Sequence, residues 1–457
     1  MTWGAVAAAG AAGITAPIAW DIATRTPSRA AGADIPPPYG AAFRRPPVLL
    51  PYETGTGERG PFAKYTVTET AGRPKVLPGL STAVYGYNGL FPGPTIAVDR
   101  GTWVQLRVRN QLPAVLPLFG HVFETSTHLH GSASLPQYDG YANDVTVVGS
   151  YKEYEYPNFQ GAHTLWYHDH AVDHTSQNMY SGLLGQYHLY DAFERGQLPR
   201  DEFDVRLVLT DALFAGDRSL AFEDQNHAGL YGDVIVVNGV AWPTMKIKRR
   251  VYRFRVLAAA ASCSYRLHLS SGEPLTIVAT DGGLMSVPQA VAEFRQGGAE
   301  RYEVLIDFGR YAAGTLVDLL NASNPHNDDF AVTDKVMRFG VTDEAFDGAN
   351  NAIPDRLHVG PGAIETMALT RDQARQTTRL DVERSRAGGW EINDQMWMNV
   401  VPATEALRSP GNAVPRTRCT SDRKKPCRSS CALPPARAAV AAATWCTATT
   451  WSMRTTT

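Results

Sequence analysis

The chain has 457 residues, 44% of them hydrophobic and 19% charged, with a formal net charge of -2. That balance gives no basic surface for nucleic acid or an anionic membrane, and the length allows about three domains. Forty glycines and thirty prolines among short Val/Tyr/Phe/Thr-rich runs favour an all-β chain with many turns. A single cysteine, Cys263, precedes position 400, so no disulfide framework is expected there, and Cys263 reads as a small buried side chain.

In chain order, residues 1–35 are Ala/Gly-rich and uncharged until Asp21, with the first basic residue at Arg25. They are too weakly apolar for a membrane span and read as the apolar region of an export signal without its basic start. The run from Thr2 to Gly10 resembles the stretch after the arginines in twin-arginine signals, so the true start is expected upstream. The expected location is extracytoplasmic or the cell envelope, or the cytoplasm if the signal does not function. A first domain is expected over residues 36–195. Its strand signals are Tyr65–Thr70, Pro92–Val98 and Thr102–Val108, the last two joined by a turn at Asp99-Arg100-Gly101. A second all-β domain is expected over 196–350, from runs such as Val205–Leu209, Val251–Leu257 and Arg301–Phe308. A linker and the start of a third domain come next over 351–400, reaching Gly389-Trp390-Glu391-Ile392-Asn393. From Arg416 onward the chain turns to Arg, Lys, Pro, Ala, Thr, Ser and Cys without a strand or helix pattern.

Chemistry concentrates in two His-X-His pairs, His128-Leu129-His130 and His168-Asp169-His170. Residues i and i+2 of a strand share a face, so each pair aims two imidazoles the same way. Four imidazoles with no carboxylate among them suit copper or zinc rather than magnesium or calcium. A pair could instead form a structural zinc half-site or two satisfied polar residues. A zinc hydrolase of the metallo-β-lactamase type needs an aspartate just after its first pair, where Ser132 stands. His163 and His174 flank the second pair without fitting a ligand position. His121, His188, His227, His268, His326 and His358 are isolated and read as structural. Asp169, between ligands, faces the opposite side of the strand, for a supporting hydrogen bond or solvent.

His-Leu-His-Gly and Trp-Tyr-His-Asp-His together resemble the first-domain motifs of the multicopper oxidases, most widely the branch of spore-coat laccase, bilirubin oxidase and phenoxazinone synthase. Val237–Pro243, Tyr252–Arg255, Asp281-Gly282-Gly283 and Glu300-Arg301-Tyr302 resemble that family's middle domain. The resemblance spans roughly residues 40 to 400. It implies tandem cupredoxin-like Greek-key β-sandwiches, two complete and a third truncated or scrambled. It also implies four copper ions, with molecular oxygen and a small aromatic reductant as partners. Phenols, aminophenols or bilirubin-like pyrroles would lose single electrons at a type 1 copper, and oxygen would be reduced to water at a trinuclear cluster. By motif position His128 resembles the type 2 ligand, and His130, His168 and His170 resemble type 3 ligands. Asp139 resembles the family's acidic residue that assists proton delivery, although it could equally be a turn residue ahead of Gly140.

The family pattern also requires His-Pro-X-His-X-His and His-Cys-His-X-X-X-His in a third domain. No histidine follows His358, and Cys419, Cys427, Cys431 and Cys446 have no histidine partners. Back-translated with GC-rich codons, the stretch Cys446–Thr456 allows His-Cys-His-Asn-Leu-Glu-His-Glu-Asp-His in an alternate frame. Arg418–Lys425 likewise allows Val-Tyr-Val-Gly-Gln-Glu-Glu. The tail over 401–457, starting between Val400 and Arg416, is therefore expected to be a frameshifted translation accompanied by a deletion. On that reading the chain as written lacks the type 1 site and does not turn over. The competing expectations are a non-enzymatic copper-binding cupredoxin protein and, less favoured, a zinc hydrolase.

Overall fold

The computed structural model describes residues 35–117, 120–222, 229–324, 327–346 and 348–360, and three short strands at 382–384, 390–392 and 395–396. The export-signal-like segment before residue 35, His227, His326 and the tail over 401–457 with its cysteines lie outside the described residues.

The described chain is dominated by strands, as the turn-rich composition requires. In the first unit these are β1 (Glu53–Gly57), β2 (Gly60–Gly72), β3 (Val84–Tyr87), β4 (Ile96–Asp99), β5 (Trp103–Asn110), β6 (Thr127–His130), β7 (Tyr151–Tyr156), β8 (His163–Asp169) and β9 (Leu184–Tyr190). Two short helices, α1 (Thr175–Ser181) and α2 (Ala192–Gln197), flank β9. One sheet runs β7-β5-β2-β1 with β3 against β2, and the facing sheet runs β4-β9-β8-β6. Between them lies a core that includes Tyr65, Val67, Val104, Leu106, Leu129, Leu165 and Tyr187. The alternation along β2 buries Tyr65, Val67 and Glu69 on one face, so a carboxyl group is carried into the core beside two apolar side chains.

The second unit is a larger pair of sheets. Its main strands are β10 (Asp204–Phe214), β11 (Val234–Val237), β12 (Pro243–Lys248), β13 (Val251–Ala258), β14 (Tyr265–Leu269), β15 (Leu275–Thr280), β16 (Gly283–Val291), β17 (Glu293–Gln296), β18 (Arg301–Asp307), β19 (Leu316–Asn321) and β20 (Lys335–Thr342). One sheet orders β11-β10-β13-β18-β15-β16 and the other β12-β20-β19-β14-β17. The lead-in crosses over to this unit, since Ala41–Ala42 pairs in parallel with Pro243 and Thr244 at the edge of β12. Phe91, Trp166, Tyr180 and Leu184 of the first unit join the second unit's apolar cluster, so the two sandwiches share buried surface. The strands at 382–384, 390–392 and 395–396 form a three-stranded antiparallel sheet.

Candidate metal centre

Strands β6 and β8 pair antiparallel with His168 opposite His128 and Trp166 opposite His130. Directly opposed residues share a face, so this register gathers both His-X-His motifs on one side of the sheet. His170 lies just past the end of β8, its backbone N–H donating to the Ser126 carbonyl at 2.7 Å. Ring centroids of His128 stand 5.4 Å from His130, 5.4 Å from His168 and 5.1 Å from His170. His128, His130 and His168 each bring one ring nitrogen within 4.8 Å of the others. His170 is beside this trio rather than within it, 5.8 Å centroid to centroid from His168.

The rings are aimed by what they touch. His128 Nδ1 donates to the Asp139 carbonyl at 2.5 Å, and His168 Nδ1 donates to the Asp169 carbonyl at 2.7 Å. Each leaves Nε2 with its lone pair for a cation. Nε2 of His168 lies 3.4 Å from Nδ1 of His130. Trp166 stacks on His168 at 4.0 Å and 26°. The Asp139 contact depends on a tight return of the chain through a 3-10 turn at Pro136–Tyr138 and Gly140, whose φ is +74°. A Cβ at Gly140 would stand 2.3 Å from the Thr127 carbonyl oxygen and 2.6 Å from the His128 backbone.

Burial and mutual repulsion hold these imidazoles neutral. Burial, with His170 nearby, pushes His128 down to about 3, and burial followed by the Arg301 guanidinium holds His130 well below its usual range. His168 is held down by burial and then by His128. Neutral imidazoles converging at this distance could hold a metal ion, because a cation satisfies lone pairs that burial denies to a proton. The all-nitrogen donor set fits copper or zinc. Asp139 stands at the rim, its Oδ1 buried, without a hydrogen bond and 3.6 Å from His128 Nδ1. Burial pushes its carboxyl up to about 7.

The other histidines take supporting places. His163 is buried with Nδ1 donating to the Gly161 carbonyl at 2.6 Å. His174 stacks on His121 at 3.9 Å, and His121 Nε2 meets Asn178 Oδ1 at 3.3 Å. His188 is buried against Gln186 Oε1 at 2.9 Å, His268 lies on β14, and His358 packs on Phe193. Asp169 turns away from the cluster, as its position between ligands requires, but it does not meet solvent. It is fully buried and accepts from the Ser126 and Ala171 backbone N–H groups and from Asn178 Nδ2. Cys263 is buried, with Sγ donating to the Ser264 carbonyl.

Two groups behind the centre escaped sequence reasoning. Glu69 is fully buried and accepts from Thr125 Oγ1 at 2.7 Å and Thr127 Oγ1 at 3.5 Å, so it ties down the strand that carries His128. Burial pushes its carboxyl up to about 8. Its place on the apolar side of an alternating strand was the available signal. Arg301 comes from the second unit, and its Nε donates to the Thr164 carbonyl at 3.2 Å. Below it, Glu303, Arg253, Arg255, Glu194 and Asp204 form a buried ionic cluster across the junction, with Thr164 Oγ1 donating to Glu303 Oε1 at 2.8 Å.

Residues 70–193, which hold both His-X-His pairs, match the multicopper oxidase family. Over 302 residues the chain is 38% identical to a bilirubin oxidase of Albifimbria verrucaria, covering 63% of this chain and 51% of that protein. A laccase of Bacillus subtilis is 36% identical over 296 residues, covering 57% of this chain and 58% of that protein. The chain thus spans about half the length of the curated relatives it matches. Among solved structures, a multicopper oxidase of Pediococcus acidilactici aligns with TM-score 0.63 at 25% identity, over 81% of this chain and 71% of that one. A variant of the Aquifex aeolicus oxidase McoA aligns with TM-score 0.65 at 25% identity, over 78% of this chain and 75% of that one. By sequence and by fold the chain is a relative of the multicopper oxidases and carries their family domain at residues 70–193.

Proposed function

We propose that this chain holds copper through His128, His130 and His168, with His170 alongside, as part of an oxidase centre that passes electrons from a small aromatic reductant to molecular oxygen. The carrying observation is the convergence of three neutral ring nitrogens within 4.8 Å on one sheet face. Bound copper would supply one-electron redox chemistry there. The chain's own residues do the rest. The Asp139 and Asp169 carbonyls fix the tautomers of His128 and His168, and Trp166 covers one face of His168. Oxygen reduction to water consumes protons, and Asp139 Oδ1, beside His128, is the group that holds one there.

Phenols, aminophenols or bilirubin-like pyrroles are the proposed reductants of the complete family member, which would carry four copper ions. The sequence has no His-Cys-His motif for a type 1 copper, so the proposal includes inactivity of the chain as written. The export-signal-like segment at residues 1–35 supports an extracytoplasmic or cell-envelope location, which fractionation of the native host tests. No helix among the described residues is long and apolar enough to cross a membrane.

The test is metal analysis, visible absorption and a phenolic dye assay on the copper-loaded full chain. The expected result is copper retention, lost in His128→Ala and His168→Ala, with neither a blue absorption band nor dye oxidation. A blue band or copper-dependent dye oxidation overturns the inactivity. Retention of zinc in preference to copper, with hydrolytic activity, overturns the copper assignment.

A further inference from the structure

Arg301 is a charged side chain that the second unit delivers to the strands carrying the two His-X-His pairs, beside Gly131 and the Thr164 carbonyl. It opens β18, is 3% exposed, and extends across the junction to the first unit. Nε donates to the Thr164 carbonyl on β8, Nη1 donates to the Ala299 carbonyl at 3.0 Å, and Nη1 also pairs with Asp281 Oδ1 at 2.8 Å. Asp281 Oδ1 further accepts the Arg301 backbone N–H at 2.7 Å, so one carboxylate fixes both ends of the residue. The remaining nitrogen, Nη2, presses on Gly131, the residue after His130, where an added Cβ would stand only 2.6 Å away. Gly131 has a φ of +84° and its carbonyl accepts from Gln160 Nε2 at 2.8 Å, so neither its conformation nor its position is free to change. The guanidinium cannot lose its charge, and Glu303, the nearest buried acid on the same strand, is occupied by Arg253 and Arg255.

We propose that Arg301 is a positioning residue of the metal centre, a fixed charge from the second unit that lowers the centre's preference for copper(II) over copper(I). The inference rests on the copper reading under Proposed function. A positive charge in a water-poor site disfavours a dication more than a monocation, whatever it does to overall affinity. The ratio of the two affinities therefore reads the charge, whereas a purely structural role would weaken both ions alike. Asp281, whose side chain is 44% exposed, partly offsets that charge and can be changed without opening the core.

The test is chelator competition with copper(I) and, separately, copper(II) on the full chain and three variants. Arg301→Gln is expected to raise the copper(II)/copper(I) affinity ratio about fivefold or more, the size of one partly screened interaction between unit charges. Asp281→Asn is expected to move the ratio the opposite way, and Arg301→Lys to leave it near the parent value. An unmoved ratio in Asp281→Asn overturns the proposal even if Arg301→Gln does not fold, as does an unmoved ratio in a folded Arg301→Gln. A parent chain that binds neither ion overturns the copper reading itself and this inference with it, an outcome distinct from a parent that binds while the ratios stay constant.

Discussion

Two of the converging imidazoles, His128 and His168, have Nδ1 already committed to a backbone carbonyl. His168 should therefore be less replaceable than His170, because its Nδ1 is fixed by a carbonyl and its Nε2 belongs to the converging trio. Loss of a supporting partner of a metal ligand costs roughly 10- to 100-fold in affinity. His168→Ala is expected to exceed that range and His170→Ala to fall short of the His168→Ala loss, both read by chelator competition. Gly140 offers a backbone test of the same geometry. With φ at +74° and the Thr127 carbonyl 2.3 Å from any added Cβ, Gly140→Ala must displace the turn that presents Asp139 to His128. The expected cost is more than about 2 kcal/mol of unfolding free energy, the scale of strain plus a steric clash, with weakened copper retention. Denaturant titration and metal content check the two together.

At the scale of single elements, strand β2 carries a pH dependence. Glu69 is pushed up to about 8 on folding, above its ordinary 4.5, so it is protonated in the folded chain and ionised in the unfolded one across that window. Its contribution is fully present below pH 4.5 and is lost as pH rises towards 8. Glu69→Gln removes that loss, and its stability relative to the parent should rise by on the order of 3 kcal/mol between pH 5 and pH 8. Urea midpoints at the two pH values read the difference, and equal slopes for parent and variant would contradict it. The sequence made β2 legible as an alternating strand. It did not make legible that Glu69 would be neutral, because neutrality comes from its complete burial in the packed sandwich. On the strand pair β6 and β8, the alternation showed that each His pair shares a face. That the two pairs share the same face depends on the His128–His168 register.

For the whole molecule, the junction between the two sandwiches combines apolar contact with a buried ionic cluster. Burial alone would push Asp204 up, but the guanidinium groups of Arg255 and Arg253 outweigh it and hold its carboxyl well below the usual range, and Glu303 is held down in the same way. Acids with depressed values stabilise the fold above about pH 4, their ordinary range, and that stability is lost as pH falls below it. Acid unfolding should therefore begin near pH 4 and separate the sandwiches as the cluster is protonated, which small-angle scattering and circular dichroism can follow. Removing one partner leaves uncompensated buried charge. Arg255→Met is expected to cost about 3–5 kcal/mol, far more than exposed pairs such as Arg59–Glu155.

The strand-rich class and the shared face of the two imidazoles within each His-X-His motif were legible in the amino-acid sequence alone. Those properties reside in local periodicity and in motifs of adjacent residues, which need no knowledge of distant partners. The rest depends on the folded chain: that His170 stands beside the trio, that Asp169 is buried and triply hydrogen-bonded, and that Glu69 and Arg301 back the histidine cluster. Each of those is set by contacts between residues far apart in the chain, through strand register and the docking of two sandwiches. No window of sequence holds both partners of such a contact.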